Sequence, residues 1–142
     1  METINLAPIG YVRRGSANET PAQSSEAMGE KGHIEILPEF QEGLKDLDGF
    51  SHIIVIYYFH MSNGHKLSVK SFKTGEEHGV FATRSPLRPN ALGFSILKVS
   101  KIKNNTIGVD YLDIFDNTPI LDIKPYVAKF DSRENTSSGW LS

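Results

Sequence analysis

The chain of 142 residues contains no cysteine. Disulfides and thiolate metal sites are therefore excluded. It has one tryptophan, Trp140. Its longest apolar run, Ile53 to Phe59, is far too short to cross a bilayer. No positively charged start followed by an apolar run marks a signal peptide, so a cytoplasmic location is the default expectation. The motif classes of nucleotide and hydrolase folds are also missing. There is no GxGxxG after a strand, no P-loop, no HExxH and no GxSxG. The five histidines show no metal-ligand spacing, so no metal site is expected.

What is present describes an ordinary globular chain. Hydrophobic residues make up 39% and charged residues 23%, enough for one domain with a real core. The net charge of −2 does not advertise nucleic-acid binding. Its distribution is more informative. Residues 1–50 carry nine acidic and four basic side chains, and residues 51–142 carry eight acidic and eleven basic. Lys66, Lys70, Lys73, Arg84 and Arg88 lie close together in sequence against Glu76 and Glu77. That cluster reads either as a phosphate patch or as a solvated face.

The chain is organised around Gly79 to Leu97, GVFATRSPLRPNALGFSIL. Gly79 to Ala82 reads as a short apolar strand. Pro86 and Pro89 each remove a backbone donor and fix a φ angle, which disfavours helix or central strand across them. The result is a stiff loop holding two guanidiniums, two hydroxyls and the Asn90 amide. Forked donors on a rigid loop suit a carboxylate or phosphate. A polar surface turn is the plainer alternative.

Elsewhere the pattern is that of β structure. Ile4 to Arg14 reads as a strand centred on Ile9 to Val12, and His33 to Leu37 as another. Residues 15–32 have loop composition. Pro38 to Asp46 fits a short helix with Pro38 in its first turn. Ser51 to Phe59 is rich in Ile, Val and Tyr without strict alternation, which predicts a strand buried on both faces of a closed barrel. Lys66 to Lys73 reads as a short exposed strand. Ser95 to Lys103 and Thr106 to Leu112 form a hairpin about Asn104-Asn105, a pair suited to positive φ. The expected fold is mainly β: a small single-domain β-barrel over residues 1–130 with one or two short helices. A polar tail, 131–142, follows. Trp140 is out of place in that tail and is expected to pack back onto the body or a partner chain.

The run ATRSPLRPNALG resembles ATRSPxRPNPIG, a signature of the TsaA-like (TrmO-type) family of S-adenosylmethionine-dependent, β-barrel tRNA methyltransferases, departing only at Ala91 and Leu92. GLKDLDGFSHIIVIYYFH is similar to the family's GLxxxxxFSHxxxxFxFH. Residues 112–126, LDIFDNTPILDIKPY, resemble its second signature, with Asn117 in place of glycine. Asparagine tolerates positive φ, so the turn is expected to survive. The family's Pro-Arg-Gln motif reads Pro21-Ala22-Gln23 here.

The resemblance implies S-adenosylmethionine as cofactor, with Gln23, Ser24, Ser25, His60, Met61, Arg84, Ile96, Asn117, Thr118 and Pro119 as cofactor-binding candidates. Arg84 would fork onto the methionine carboxylate, Asn117 and Thr118 would offer backbone groups to adenine, and Ile96 would pack on its face. Arg88 and Asn90 are candidates for binding the substrate. The implied acceptor is the exocyclic nitrogen of threonylcarbamoyl-adenosine beside the anticodon, a weak nucleophile that a base would help. Asp122, Lys124 and Tyr126 are the catalytic candidates, an Asp–Lys pair capping a proline turn being the structural alternative. The implied partners are the tRNA anticodon arm and a second copy in a homodimer. Two other functions stay open: a non-catalytic module binding S-adenosylmethionine or another adenosine ligand, and a methyltransferase with a small-molecule acceptor.

Overall fold

The longest strand, Leu92–Lys103, grows out of the organising stretch and turns back on itself through two residues. In chain order the strands are β1 (Gly10–Arg13), β2 (Glu30–Ile36), β3 (His52–Tyr58), β4 (Ser68–Lys70), β5 (Glu77–Gly79), β6 (Leu92–Lys103), β7 (Thr106–Leu112) and β8 (Pro119–Pro125). A single α-helical turn, α1 (Ala128–Asp131), follows. The structure is a computed structural model that describes residues 1–14 and 30–142.

Six strands close into an antiparallel barrel in the order β1-β2-β7-β6-β3-β8, and β4 and β5 form a separate two-stranded sheet. A six-stranded barrel is narrow enough for side chains to fill. Val12, Ile34, Ile36, Ile53, Val55, Leu97, Ile107, Val109, Leu112 and Ile120 do so, all essentially inaccessible. Tyr57 and Gly93 face each other across β3 and β6. A Cβ on Gly93 would lie 2.2 Å from the Tyr57 ring, so the absence of a side chain is what admits the phenol.

The strand directions give the barrel two unlike ends. At one end β6 and β7 are joined by Asn104 and Asn105, with Asn104 at φ 55° as its residue type suggested. The same end is covered by 3-10 turns at Pro38–Leu44 and Leu47–Gly49, the second of which inserts Leu47 into the core. Pro38 sits in the first turn, as expected. At the opposite end lie the long connection from β3 through β4 and β5 to β6, and the turn between β7 and β8, where Asn117 has φ 64°.

Three local expectations are corrected. β3 alternates: Ile53, Val55 and Tyr57 are buried, whereas Ile54 and Ile56 are only half-buried. The barrel has one interior face, and among the described residues nothing fully covers the outside of β3. The strand expected over Gly79 to Ala82 stops at Gly79, and Val80–Ala82 is a 3-10 turn. Only Val80 has a buried place there, and the Thr83 hydroxyl closes the turn on the Val80 carbonyl at 2.7 Å. β1 begins at Gly10 rather than Ile4, and Ile4 and Leu6 are exposed. Among the described residues, no helix is long and apolar enough to cross a membrane.

Candidate functional site

The loop-rich end of the barrel holds a cavity of about 740 Å³, the size of a cofactor-scale ligand. Its walls come from five places in the sequence. The end of β3 supplies Tyr57, Phe59, His60 and Met61. The loop after Ala82 supplies Thr83, Arg84 and Ser85. The β7–β8 turn gives Asp113, Phe115 and Thr118. The β4–β5 hairpin contributes Val69, Lys70 and Phe72, and Trp140 returns from beyond the barrel.

The loop carrying Arg84 is stiffened from within. Ser85 and Leu87 amides donate to the Thr83 and Ser85 hydroxyls, at 3.2 Å each. The Arg88 guanidinium donates to the carbonyls of Thr83 and Ser85, both at 3.0 Å. Ser62 ties the loop to the end of β3 by donating to the Pro86 carbonyl. Arg88 is thus occupied inside its own loop, whereas Arg84 lines the cavity with its guanidinium 5.8 Å from the Phe94 ring centroid. Among the described residues no carboxylate is paired with Arg84, which leaves its fork for an anionic group.

Behind the cavity wall runs a hydrogen-bonded chain that the sequence alone did not reveal: Tyr57 and Asp113 line the cavity, and Ser95 is buried between them. The Tyr57 hydroxyl is 3.1 Å from Ser95 Oγ, which donates to Asp113 Oδ1 at 3.3 Å. Burial pushes the Tyr57 pKa up, and the Asp113 carboxylate adds to this; the Ser95 hydrogen bond and the Arg84 charge oppose it. Tyr57 is therefore a neutral phenol at physiological pH. The signal that could have found this group was Gly93, a glycine opposite a tyrosine on the neighbouring strand.

The β7–β8 turn is fixed to the barrel by its own polar atoms. Thr118 is 2% exposed, and its hydroxyl donates to the Phe115 carbonyl at 2.7 Å. The Arg14 amide donates to Asp116, and Arg13 to the Asn117 side chain. Of the cofactor candidates, His60, Met61, Arg84 and Thr118 meet at the cavity. Gln23, Ser24 and Ser25 lie outside the described residues. Asn117 turns to Arg13, and Pro119 and Asn90 border a separate groove of about 330 Å³ with Ile4, Leu6, Tyr58 and Leu92.

Ile96 is 45% exposed on the outer face of β6. The catalytic candidates also lie away from the cavity of their own chain. β8 starts at the cavity end with Pro119 and runs to the other end, carrying Asp122 and Lys124 with it. Their side chains pair at 3.0 Å, and the Tyr126 amide donates to the His52 carbonyl. Among the described residues no cluster of three or more His, Asp and Glu side chains could hold a metal.

A closed antiparallel barrel with a ligand-sized mouth at its loop-rich end, lined by aromatic rings and an arginine, places the chain in the class of small β-barrels that carry a cavity at one end. Residues 14–132 match the tRNA-methyltransferase O N-terminal domain, and the chain belongs to that family. It is 47% identical to a probable S-adenosyl-L-methionine-binding protein of Pyrococcus abyssi, over 97% of this chain and 76% of that one. It is 37% identical to a human tRNA (adenine(37)-N6)-methyltransferase, over 95% of this chain but only 33% of the relative. The crystal structure of TrmO from Pseudomonas aeruginosa superposes with a TM-score of 0.81 at 31% identity, covering 98% of this chain and 63% of that one. The chain thus spans a third of the human relative and under two thirds of the solved one.

Proposed function

We propose that the chain binds S-adenosylmethionine in the cavity and transfers its methyl group to an adenine nitrogen of tRNA, the threonylcarbamoyl-adenosine beside the anticodon being the acceptor. The observation that carries this reading is Arg84, held on a self-bonded loop at the wall of a cofactor-sized cavity. The names of the relatives in Pyrococcus and human agree with it. Methyl transfer from a sulfonium is a direct displacement in which the cofactor carries its own leaving group. The protein mainly aligns acceptor, methyl and sulfur. Arg84 binds the methionine carboxylate, Tyr57 and Asp113 offer polar groups at the cavity wall, and the rings of Phe59 and Phe115 enclose the apolar remainder. Lys66, Lys70 and Lys73 on and beside the β4–β5 hairpin grip phosphates at the mouth. A cytoplasmic setting goes with this reading.

A homodimer belongs to the same proposal. Outer-face residues pair across strands as Ile54 with Ile96, Ile56 with Phe94, and Tyr58 with Leu92, giving an apolar strip. On its other side Ile54 pairs with Lys124 and Ile56 with Asp122. Arg84 lies over Phe94 at the edge of this strip. A second copy seated on the strip brings Asp122, Lys124 and Tyr126 of one chain towards the cavity of the other, where they act on the acceptor's proton.

The deciding experiment is calorimetric titration of S-adenosylhomocysteine into wild type and Arg84→Ala. Loss of a charge-assisted fork is expected to weaken binding about tenfold to a hundredfold. A wild type that binds nothing overturns the proposal, and full turnover in Asp122→Ala and Tyr126→Phe removes those residues from catalysis.

A further inference from the structure

The only tryptophan of the chain lies beyond residues 14–132 that match the family, yet it reaches the cavity. Two contacts hold it there. Its Nε1–H donates to the Ala82 carbonyl at 2.8 Å, at the root of the loop that carries Arg84. Its ring stacks on His78 with centroids 4.0 Å apart and planes 9° from parallel. His78 is the β5 partner of Val69, itself a cavity residue. The His78 Nε2 is enclosed without a hydrogen-bond partner among the described residues, and the stack covers a face of its ring. Trp140 is thereby joined both to the hairpin and to the Arg84 loop.

We infer that Trp140 is a specificity-determining residue, the wall on which the purine ring of the cavity's ligand stacks. This rests on the proposed function of the cavity. The indole has one face on His78 and its single donor on Ala82, so it offers the cavity flat apolar surface and no unpaired polar atom. A purine is the part of the proposed ligands that such a surface fits, since base–aromatic stacking needs only a π face. The purine has two sources: the adenine of the sulfonium cofactor, or the adenine of the RNA acceptor. Phe72, also at the cavity, is fully exposed at the hairpin tip and lacks this double anchorage.

Because the chain has no other tryptophan, its emission reports on this wall alone. Wild-type protein is titrated with S-adenosylhomocysteine, and separately with an adenine-containing hairpin oligoribonucleotide. Each titration is followed by fluorescence and by calorimetry. The expected result is saturable quenching with the calorimetric midpoint, about tenfold weaker binding in Trp140→Ala, and recovery of most of it in Trp140→Phe. Quenching by S-adenosylhomocysteine assigns the wall to the cofactor's adenine, and quenching by the oligoribonucleotide alone assigns it to the acceptor's. Calorimetric binding with unchanged emission, and equal affinity in Trp140→Ala, overturns the inference and leaves the cavity reading intact. Absence of calorimetric binding to either probe overturns both. The fluorescence arm uses only wild type, so a poorly folded variant does not decide the matter.

Discussion

Tyr57 holds a phenol where ionisation is costly: buried, with the Asp113 carboxylate nearby at the cavity wall. Its folded pKa is raised above the unfolded value of about 10. The folded state therefore keeps a proton that the unfolded chain has released. Its contribution to stability is fully present below about pH 10 and is lost as pH rises through the folded pKa. Urea denaturation from pH 9 upwards should show this decline in wild type and a shallower one in Tyr57→Phe; identical profiles would count against the assignment. Gly93→Ala is a second test at this scale. The added Cβ meets the Tyr57 ring at 2.2 Å, and overpacking of this kind costs about 1–3 kcal/mol. Unchanged stability in urea would mean that the ring moves freely. Neither residue stood out in the sequence, because Tyr57 sits inside an apolar run and a strand glycine has several possible meanings.

Among the elements, the loop after Ala82 divides its two arginines between different tasks. Arg84 borders the cavity, and Arg88 holds the backbone that positions Arg84. Arg88→Ala should lower the melting temperature by a few degrees, through loss of bonds worth roughly 1–3 kcal/mol. It should also weaken S-adenosylhomocysteine less than Arg84→Ala does. An equal or larger effect on affinity with an unchanged melting temperature would make Arg88 a direct ligand instead. The two prolines made this loop legible as a rigid platform, but the directions of its side chains were not. Which arginine is bonded within the loop depends on the carbonyls of Thr83 and Ser85, whose orientation the sequence does not encode locally. The β6–β7 hairpin and the positive φ at Asn104 and Asn117 were legible for the opposite reason, since both follow from short-range chemistry. The turn at Val80–Ala82 was not, because tertiary contact decides it: only Val80 is buried in that run.

The molecule as a whole carries two surfaces of interest, the cavity and the outer strip of β3 and β6. Phe94 and Ile96 are 41% and 45% exposed, and their pairing with Ile56 and Ile54 makes a continuous apolar face. Sedimentation should report a mass near twice the 15.8 kDa chain, and Phe94→Glu with Ile96→Glu should return it to one. A wild type that sediments as a single chain removes the homodimer from the proposal. The barrel itself was legible from the family resemblance of ATRSPLRPNALG and LDIFDNTPILDIKPY, whereas the composition of β3 pointed to burial on both faces and not to the single interior face it has. The strip was not, since exposed apolar residues on a strand look like core until the barrel's inside and outside are fixed.

The two-residue turn at Asn104-Asn105 lies at the barrel end opposite the cavity. A chain cut there parts Arg84 from Thr118 and Trp140, yet leaves every wall of the cavity unbroken. β7 must then dock between β2 and β6 to restore the barrel. Two fragments divided at this turn would therefore form a complementing pair, whose reassembly a cavity ligand drives by holding residues of both pieces at once.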